Sequence, residues 1–220
     1  MELPDRLAAV QSSIADAVRL AGRDSADVTT IVVTKFHPAQ LVRDLHALGV
    51  REFGESRHQE AGPKAAELAD LDLEWHFIGQ LQSKKARQVA EYASVIHSLD
   101  RDSLVTALGS SEASAFVQVN LTDDPARGGV TPGRLDEFVD GVLAAGGIRL
   151  LGLMTVAPLD EPARPAFARL RELSERVQKQ APDATFLSMG MSGDFTEAVL
   201  EGATHLRVGT AITGNRPTPG

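Results

Sequence analysis

Hydrophobic positions along the chain follow two spacings, one typical of amphipathic helices and one typical of buried strands. In residues 3–21 the apolar side chains recur every three or four positions, and the pattern stops at Gly22, which predicts a helix. Residues 28–34 are β-branched throughout, which is typical of a short strand buried on both faces of a parallel sheet. The chain is therefore predicted to open with a helix that leads into a parallel sheet.

The same alternation continues along the chain. Strands are predicted at residues 28–34, 51–54, 75–78, 95–99, 116–121, 150–156, 186–189 and 205–208. Helices are predicted between them at residues 41–48, 59–69, 83–92, 103–108, 135–145, 164–180 and 195–201, so every strand except the last is followed by a helix. Repeated βα units need right-handed crossovers around a parallel sheet, and eight units most naturally close into a barrel.

We therefore predict the α/β class, as a single (β/α)8 TIM-like barrel preceded by an N-terminal helix. The alternative is an open doubly wound sheet, which would need fewer strands or a glycine-rich turn after the first strand. Residues 34–38 contain no glycine. No linker divides the chain, and 220 residues with 43% hydrophobic side chains suit one core. The predicted domain covers residues 1–214, followed by a loose tail at residues 215–220.

The charge and the residue content exclude several classes of function. Lys and Arg total 22 against 30 for Asp and Glu, and the net charge of -8 gives no basic surface for a nucleic acid. The absence of cysteine excludes disulfides, thiolate nucleophiles and iron–sulfur clusters. The six histidines show no spacing typical of metal ligands, so no metal site is predicted. Without a leader pattern or a run of about 18 apolar residues, we expect a cytoplasmic protein with no membrane contact.

One lysine stands out because reactive groups of such barrels lie at the carboxyl ends of the strands. Lys35 directly follows the first predicted strand, and is either a solvated loop residue or an amine at the barrel mouth. In a partly desolvated mouth the pKa of an ammonium group falls, so that the free amine can form an imine with an aldehyde. Two chemistries then remain open: a Schiff-base aldolase acting on sugars, or an imine with pyridoxal 5'-phosphate (PLP).

The loops after the last two strands favour a phosphate ligand. Residues 188–194 run from a strand into a helix and contain two glycines, and Ser192 lies where backbone amides are free to bind an anion. One strand later, Gly209 and Thr210 offer a close backbone approach and a hydroxyl group. Each loop alone is a weak signal, but their pairing after the seventh and eighth strands is the usual phosphate position of this fold.

Several motifs, taken together, resemble one family. They are residues 33–38 (VTKFHP), 53–55 (FGE), 75–79 (WHFIG) with Leu81 and Gln82, 152–154 (GLM), 187–192 (LSMGMS) and 207–211 (RVGTA). In this order and spacing, which spans almost the whole chain, they resemble the YggS/PROSC family of PLP homeostasis proteins. The resemblance implies a fold type III barrel like the N-terminal domain of alanine racemase.

The resemblance also implies roles for individual residues. Lys35 would form the covalent imine (aldimine) with PLP, and Arg207 would face the pyridine nitrogen. The cofactor phosphate would be held by Ser192, Gly209 and Thr210. Ser56 replaces an asparagine that the family usually has, so a shorter hydroxyl group or a water would make any hydrogen bond near the ring.

Three further residues have two interpretations each. Met154 and Met191 either flank the cofactor ring or fill the barrel, since methionine often fills irregular gaps in a core. His76, between Trp75 and Phe77, either lines the cofactor face or is a hydrogen-bonded core histidine.

Efficient catalysis is not expected. Arginine has donors only and stays charged, so a ring nitrogen facing Arg207 would accept a hydrogen bond and remain an unprotonated, weak electron sink. A racemase also needs a second base, and Tyr92, the single tyrosine, falls on an outer helix. We predict a PLP carrier in vitamin B6 and amino-acid homeostasis with at most trace racemase-like activity. A true racemase or an aldolase are the alternatives. PLP-dependent client enzymes are its expected partners, and the protein itself is expected to be a monomer or weak dimer.

Overall fold

A closed barrel of eight parallel strands forms the centre of the molecule. The structure is a computed structural model, and residues 1–215 are described here. The strands are β1 Thr29–Val33, β2 Glu52–Glu55, β3 Glu74–Phe77, β4 Val95–Leu99, β5 Ala113–Gln118, β6 Ile148–Met154, β7 Phe186–Ser188 and β8 His205–Val208. Each strand pairs with its sequence neighbours, and β8 pairs with β1 to close the barrel. The predicted fold class is confirmed.

Helices surround this barrel. They are α1 Leu3–Leu20, α2 Ala39–Ala47, α3 His58–Glu67, α4 Ala86–Ala90, α5 Asp102–Leu108, α6 Leu135–Ala145, α7 Ala163–Val177, α8 Phe195–Leu200 and α9 Thr210–Thr213. The first helix buries Leu7, Val10 and Ile14 and packs against α8 and α9. Its Arg6 side chain donates a hydrogen bond from Nε to the Ile212 carbonyl oxygen at 2.7 Å. No helix within residues 1–215 has the length and apolarity needed to cross a membrane.

The prediction that no helix follows the last strand was wrong. Gly209 precedes the short helix α9, in which the Thr213 amide donates to the Gly209 carbonyl oxygen at 2.9 Å. Four residues are too few to show a helical period, so the sequence pattern could not reveal this element. Of the predicted tail at residues 215–220, only Asn215 falls within the described residues. The division into one domain and a tail stays a prediction.

The fifth strand lies three residues earlier than predicted. Ala113, Ser114 and Ala115 pair with β6, although small side chains have little strand propensity. The chain leaves the regular ladder after Gln118, and Val119 forms an isolated bridge with Val130. The apolar pattern alone placed the strand too late because pairing, not side-chain type, decides where this strand begins.

Alternation along the strands separates an outer core from the barrel interior. In β8 the neighbours of Arg207, Leu206 and Val208, are fully buried in the main hydrophobic core with the surrounding helices. Arg207 therefore points into the barrel, as successive side chains of a strand face opposite sides. The interior also holds a small apolar cluster of Phe116, Leu151 and Met154. The barrel interior therefore contains buried polar side chains, such as Arg207 and His97, beside this apolar cluster.

Candidate functional site

Lys35 lies at the carboxyl end of the barrel, directly after β1. Its side chain is exposed, and Nζ lies 5.9 Å from the centroid of the Phe36 ring. The Arg57 guanidinium lies 4.9 Å from the same centroid. Within residues 1–215 the Lys35 amine makes no ion pair with a carboxylate. The amine is therefore accessible to a ligand that approaches the mouth.

Phe36 helps to place this lysine through an unusual backbone conformation. Its φ angle is 68°, in the left-handed region, which is uncommon for a residue other than glycine. The Phe36 amide donates to Glu60 Oε1 in α3 at 2.5 Å. The turn after β1 is thus tied to α3, and the chain bends sharply at the position that follows the exposed amine.

Thr34, the residue before Lys35, points to the opposite side of the barrel wall. Its Oγ1 donates to Glu55 Oε1 at 2.8 Å, and the same oxygen accepts from Lys64 Nζ at 2.5 Å. Lys64 also donates to the Thr34 carbonyl oxygen at 3.1 Å. Burial raises the pKa of the Glu55 carboxyl, while Lys64 and Thr34 oppose this shift. Through these bonds the buried cluster holds the carboxyl end of β1 against β2 and α3.

The loops after β7 and β8 lie side by side at the same end of the barrel. The Ala211 amide donates weakly to Ser192 Oγ, at 3.5 Å, and the Arg207 amide donates to the Gly190 carbonyl oxygen at 2.9 Å. A Cβ on Gly209 would lie 3.5 Å from Val33 Cβ, so this backbone packs closely on the end of β1. Ser192, Gly209 and the strand that carries Lys35 are therefore brought together, as the barrel topology predicted.

Arg207 lies beneath these loops and is 5% exposed. Nη1 donates to Ser188 Oγ at 2.6 Å and Nη2 donates to the Thr155 carbonyl oxygen at 2.8 Å. Burial lowers the pKa of the guanidinium to about 10, which the Asp194 charge partly opposes. The side chain makes no ion pair with a carboxylate in the described chain. A guanidinium has five N–H groups, and the bonds to Ser188 and Thr155 use two of them.

The other predicted site residues differ in how far they are exposed. Thr210 is exposed at the start of α9, and Met191 is 37% exposed in the loop after β7. Met154 is 2% exposed and packs in the interior cluster. Ser56 lines a cleft of about 350 Å³ between the loops after β2 and β3.

His76 is not brought to the mouth. It is 3% exposed within the barrel and hydrogen-bonds to Glu52 Oε2 at 2.7 Å, at the amino end of β2. This placement matches the core-histidine interpretation of the sequence. Its other ring nitrogen faces His97 at 2.9 Å, and through that residue His76 is linked to Ser188.

Some residues that support the site from within the fold carry no local signal in the sequence. Lys64 and Glu52 were not singled out, because their partners are on other elements and no local spacing joins them. The available signal is the occurrence of a polar residue at an inward position of a strand, as at Glu52, His97 and Ser188. The described residues hold no group of three or more His, Asp or Glu arranged for a metal ion.

Comparison with known proteins identifies the family. Residues 6–217 match the family model described as "Alanine racemase, N-terminal domain". A protein of Mycobacterium tuberculosis named "Pyridoxal phosphate homeostasis protein" is 40% identical over 98% of this chain and 93% of its own length.

Solved structures agree with the observed fold. PipY of Synechococcus elongatus, in a structure described as having PLP bound, is 37% identical with a TM-score of 0.85, over 97% of this chain and all of that one. Alanine racemase of Corynebacterium glutamicum has a TM-score of 0.71 at 15% identity, which shows the shared barrel alone; the match covers 95% of this chain and 62% of the racemase. The resemblance drawn from the sequence motifs is thus confirmed. The chain belongs to the alanine racemase N-terminal domain family and, within it, to the pyridoxal phosphate homeostasis proteins.

Proposed function

We propose that the protein binds PLP at the carboxyl end of its barrel and holds it as part of PLP and amino-acid homeostasis, without efficient turnover. The observation that carries the proposal is Arg207, a buried cation that makes no ion pair with a carboxylate among residues 1–215 and lies beneath the two adjoining loops of the mouth. Such a cation calls for a ligand with acceptor atoms, since buried charges are usually paired. The names of the relatives support the choice of ligand.

The donor set of the mouth fits this cofactor. PLP offers an aldehyde, an anionic phosphate and a pyridine nitrogen that accepts a hydrogen bond. The Lys35 amine can condense with the aldehyde, releasing water and leaving a covalent Schiff base. Ser192, Gly209 and Thr210 are proposed to bind the phosphate with hydroxyl and amide groups. Ser56, Met154 and Met191 are proposed to line the ring, with Met154 beneath it.

Arg207 favours holding the cofactor over catalysis. Bound PLP supplies an electron sink for carbanion chemistry, but its strength depends on a protonated ring nitrogen. A guanidinium has only donors, so Arg207 keeps the nitrogen it faces as an acceptor. Tyr92 does not lie at the mouth and is not available there as the second base of a racemase. Its ring is stacked on His58 with centroids 6.0 Å apart, outside the barrel, and burial raises the pKa of its hydroxyl group.

The proposed role implies a compartment and a class of partner proteins. A carrier of PLP is expected in the cytoplasm, with PLP-dependent enzymes as the proteins that receive the cofactor. The protein is expected to act as a monomer or weak dimer.

Borohydride reduction followed by intact mass measurement tests the proposal. Wild-type protein saturated with PLP should turn yellow and gain the mass of one reduced pyridoxyl phosphate group on the peptide that contains Lys35. The K35A variant should lose this adduct, whereas K84A, which removes an exposed lysine at the same end of the barrel, should retain it. An unmodified wild-type protein, or an adduct that persists in K35A, would contradict the proposal. Trapping of a phosphosugar on Lys35 instead of PLP would favour the aldolase alternative.

A further inference from the structure

A continuous line of hydrogen bonds crosses the barrel interior from its amino end to Arg207. Glu52 Oε2 lies 2.7 Å from His76 Nε2, and His76 Nδ1 lies 2.9 Å from His97 Nε2. His97 Nδ1 lies 2.8 Å from Ser188 Oγ, which accepts from Arg207 Nη1 at 2.6 Å. Five side chains from β2, β3, β4, β7 and β8 thus form one connected line, which we call the interior chain.

The chemistry of the two ends allows all four bonds to run in one direction. Arginine can only donate and a carboxylate can only accept. Ser188 Oγ accepts from Arg207, so its own hydrogen is free to go to His97 Nδ1. His97 then donates from Nε2 to His76 Nδ1, and His76 donates from Nε2 to Glu52. With these assignments all four bonds run the same way, and no donor in the line opposes another.

The surroundings of the interior chain favour this arrangement. His97 is fully buried, and burial together with the nearby His76, Arg207 and His205 holds its pKa well below the usual range, so its ring stays neutral. His76 and Ser188 are 3% and 0% exposed. Only Glu52 reaches solvent, with 34% of its side chain exposed at the opposite end of the barrel from Lys35. The single carboxylate of the line thus lies at the opposite end of the line from Arg207.

We propose that Glu52, His76 and His97, acting through Ser188, are positioning residues that set the orientation and donor strength of Arg207 toward the ring nitrogen of the cofactor. The inference rests on the proposed function, because it assigns Arg207 to that nitrogen. A hydroxyl group that donates becomes a better acceptor, and hydrogen bonds in line strengthen one another. The negative charge of Glu52 therefore tightens the Ser188–Arg207 contact, while the Thr155 carbonyl holds the other Nη.

Replacing the carboxylate by an amide tests this without removing volume. In E52Q the terminal acceptor loses its charge and its NH2 group can also donate, which ends the single direction of the line. We expect a shifted absorption band of the bound cofactor and a severalfold faster release of PLP. Glu74, the register partner of Glu52 on β3, is exposed and outside the interior chain, so E74Q is the matched control.

A double-mutant cycle tests whether the effect passes through the line. S188A removes the link between His97 and Arg207, and should change the spectrum and the release rate more than E52Q does. Residues that act through one network are not additive, so E52Q should have little further effect in the S188A background. E74Q should change neither background.

The outcomes separate this inference from the proposed function. A wild-type spectrum and release rate in E52Q, or equal added effects of E52Q with and without Ser188, would overturn the inference. So would a loss of stability in E52Q with an unchanged spectrum of the bound cofactor, which indicates a purely structural role. Failure of wild-type protein to bind PLP would instead overturn the proposed function. A normal bound spectrum in R207K would remove the assignment of Arg207 on which both depend.

Discussion

Lys35 and Lys64 lie close to the same stretch of backbone in opposite surroundings. Lys35 is exposed at the barrel mouth and makes no ion pair among residues 1–215, whereas Lys64 is 6% exposed and bound to Glu55 and to the carbonyl oxygen of Thr34. Thr34 and Lys35 are neighbours in sequence, yet they face opposite sides of the wall. The Lys64 amine is thus paired within the fold, whereas the Lys35 amine is accessible to a ligand.

The largest expected effect comes from breaking the buried pair. In K64M the Glu55 carboxylate stays buried without its cation, and removing one partner of such a pair typically costs about 3–5 kcal/mol. K35M removes an exposed charge, and should change the free energy of unfolding by no more than about 0.5 kcal/mol. Urea denaturation of both variants measures the difference.

The double variant E55M/K64M tests whether the loss in K64M comes from the unpaired carboxylate. Replacing both members of a buried ion pair by apolar residues is often neutral, so most of the loss in K64M should be recovered. If K35M destabilises the protein as much as K64M does, the contrast between mouth and interior is wrong.

An intermediate loss of stability is expected at acid pH, because acid protonates histidines of the barrel interior. Burial and the nearby His76 lower the pKa of His205 to about 4 from 6.5, with a smaller effect of Arg207 and an opposing effect of Glu52. The unfolded chain therefore binds the proton more readily between these values, so stability is full above pH 6.5 and is lost as the pH falls toward 4. At about 1.4 kcal/mol per pKa unit, the loss between pH 7.5 and pH 5 should be about 2 kcal/mol.

Urea midpoints at these two pH values test this, with H205F as the comparison. The variant keeps an aromatic ring beside Phe116 and Phe186 but cannot titrate, so its acid loss should be smaller. His97, whose pKa is also lowered, adds a loss of the same sign in both proteins. Equal acid sensitivity of wild type and H205F would show that His205 is not responsible.

The smallest effect on stability is expected at the mouth. Thr210 is exposed, and T210A should change the free energy of unfolding by less than about 0.5 kcal/mol. Its PLP affinity should nevertheless fall severalfold if the hydroxyl group binds the phosphate. Titration with PLP and urea denaturation of the same sample check both statements. A stability loss without a change in affinity would contradict the comparison.

The barrel and the mouth were largely predictable from the sequence, for physical reasons. Each βα unit has its own local hydrophobic period, and the closed topology sends every strand end to one face. This suffices to bring Lys35, Ser192 and Gly209 together. Short elements were not predictable, since α9 is too brief for a period and β5 begins in small residues.

The buried polar contacts could not be predicted from the sequence. The Glu55–Lys64 pair joins a strand to the next helix, and the interior chain joins five strands that are far apart along the sequence. Such contacts depend on register and on which side chains face inward. A local pattern does not encode either, so a single polar residue within an apolar strand is the only trace that they leave.

The pairing of β8 with β1, and of α9 with α1 through Arg6, has a consequence for synthesis of the protein. Lys35 is synthesised well before Gly209, so the seam that places Gly209 against Val33 can form only after β8 has been made. A nascent chain can form the early βα units, yet it lacks a finished mouth until β8 has left the ribosome. If the mouth binds PLP as proposed, capture of the cofactor requires a chain that already includes β8.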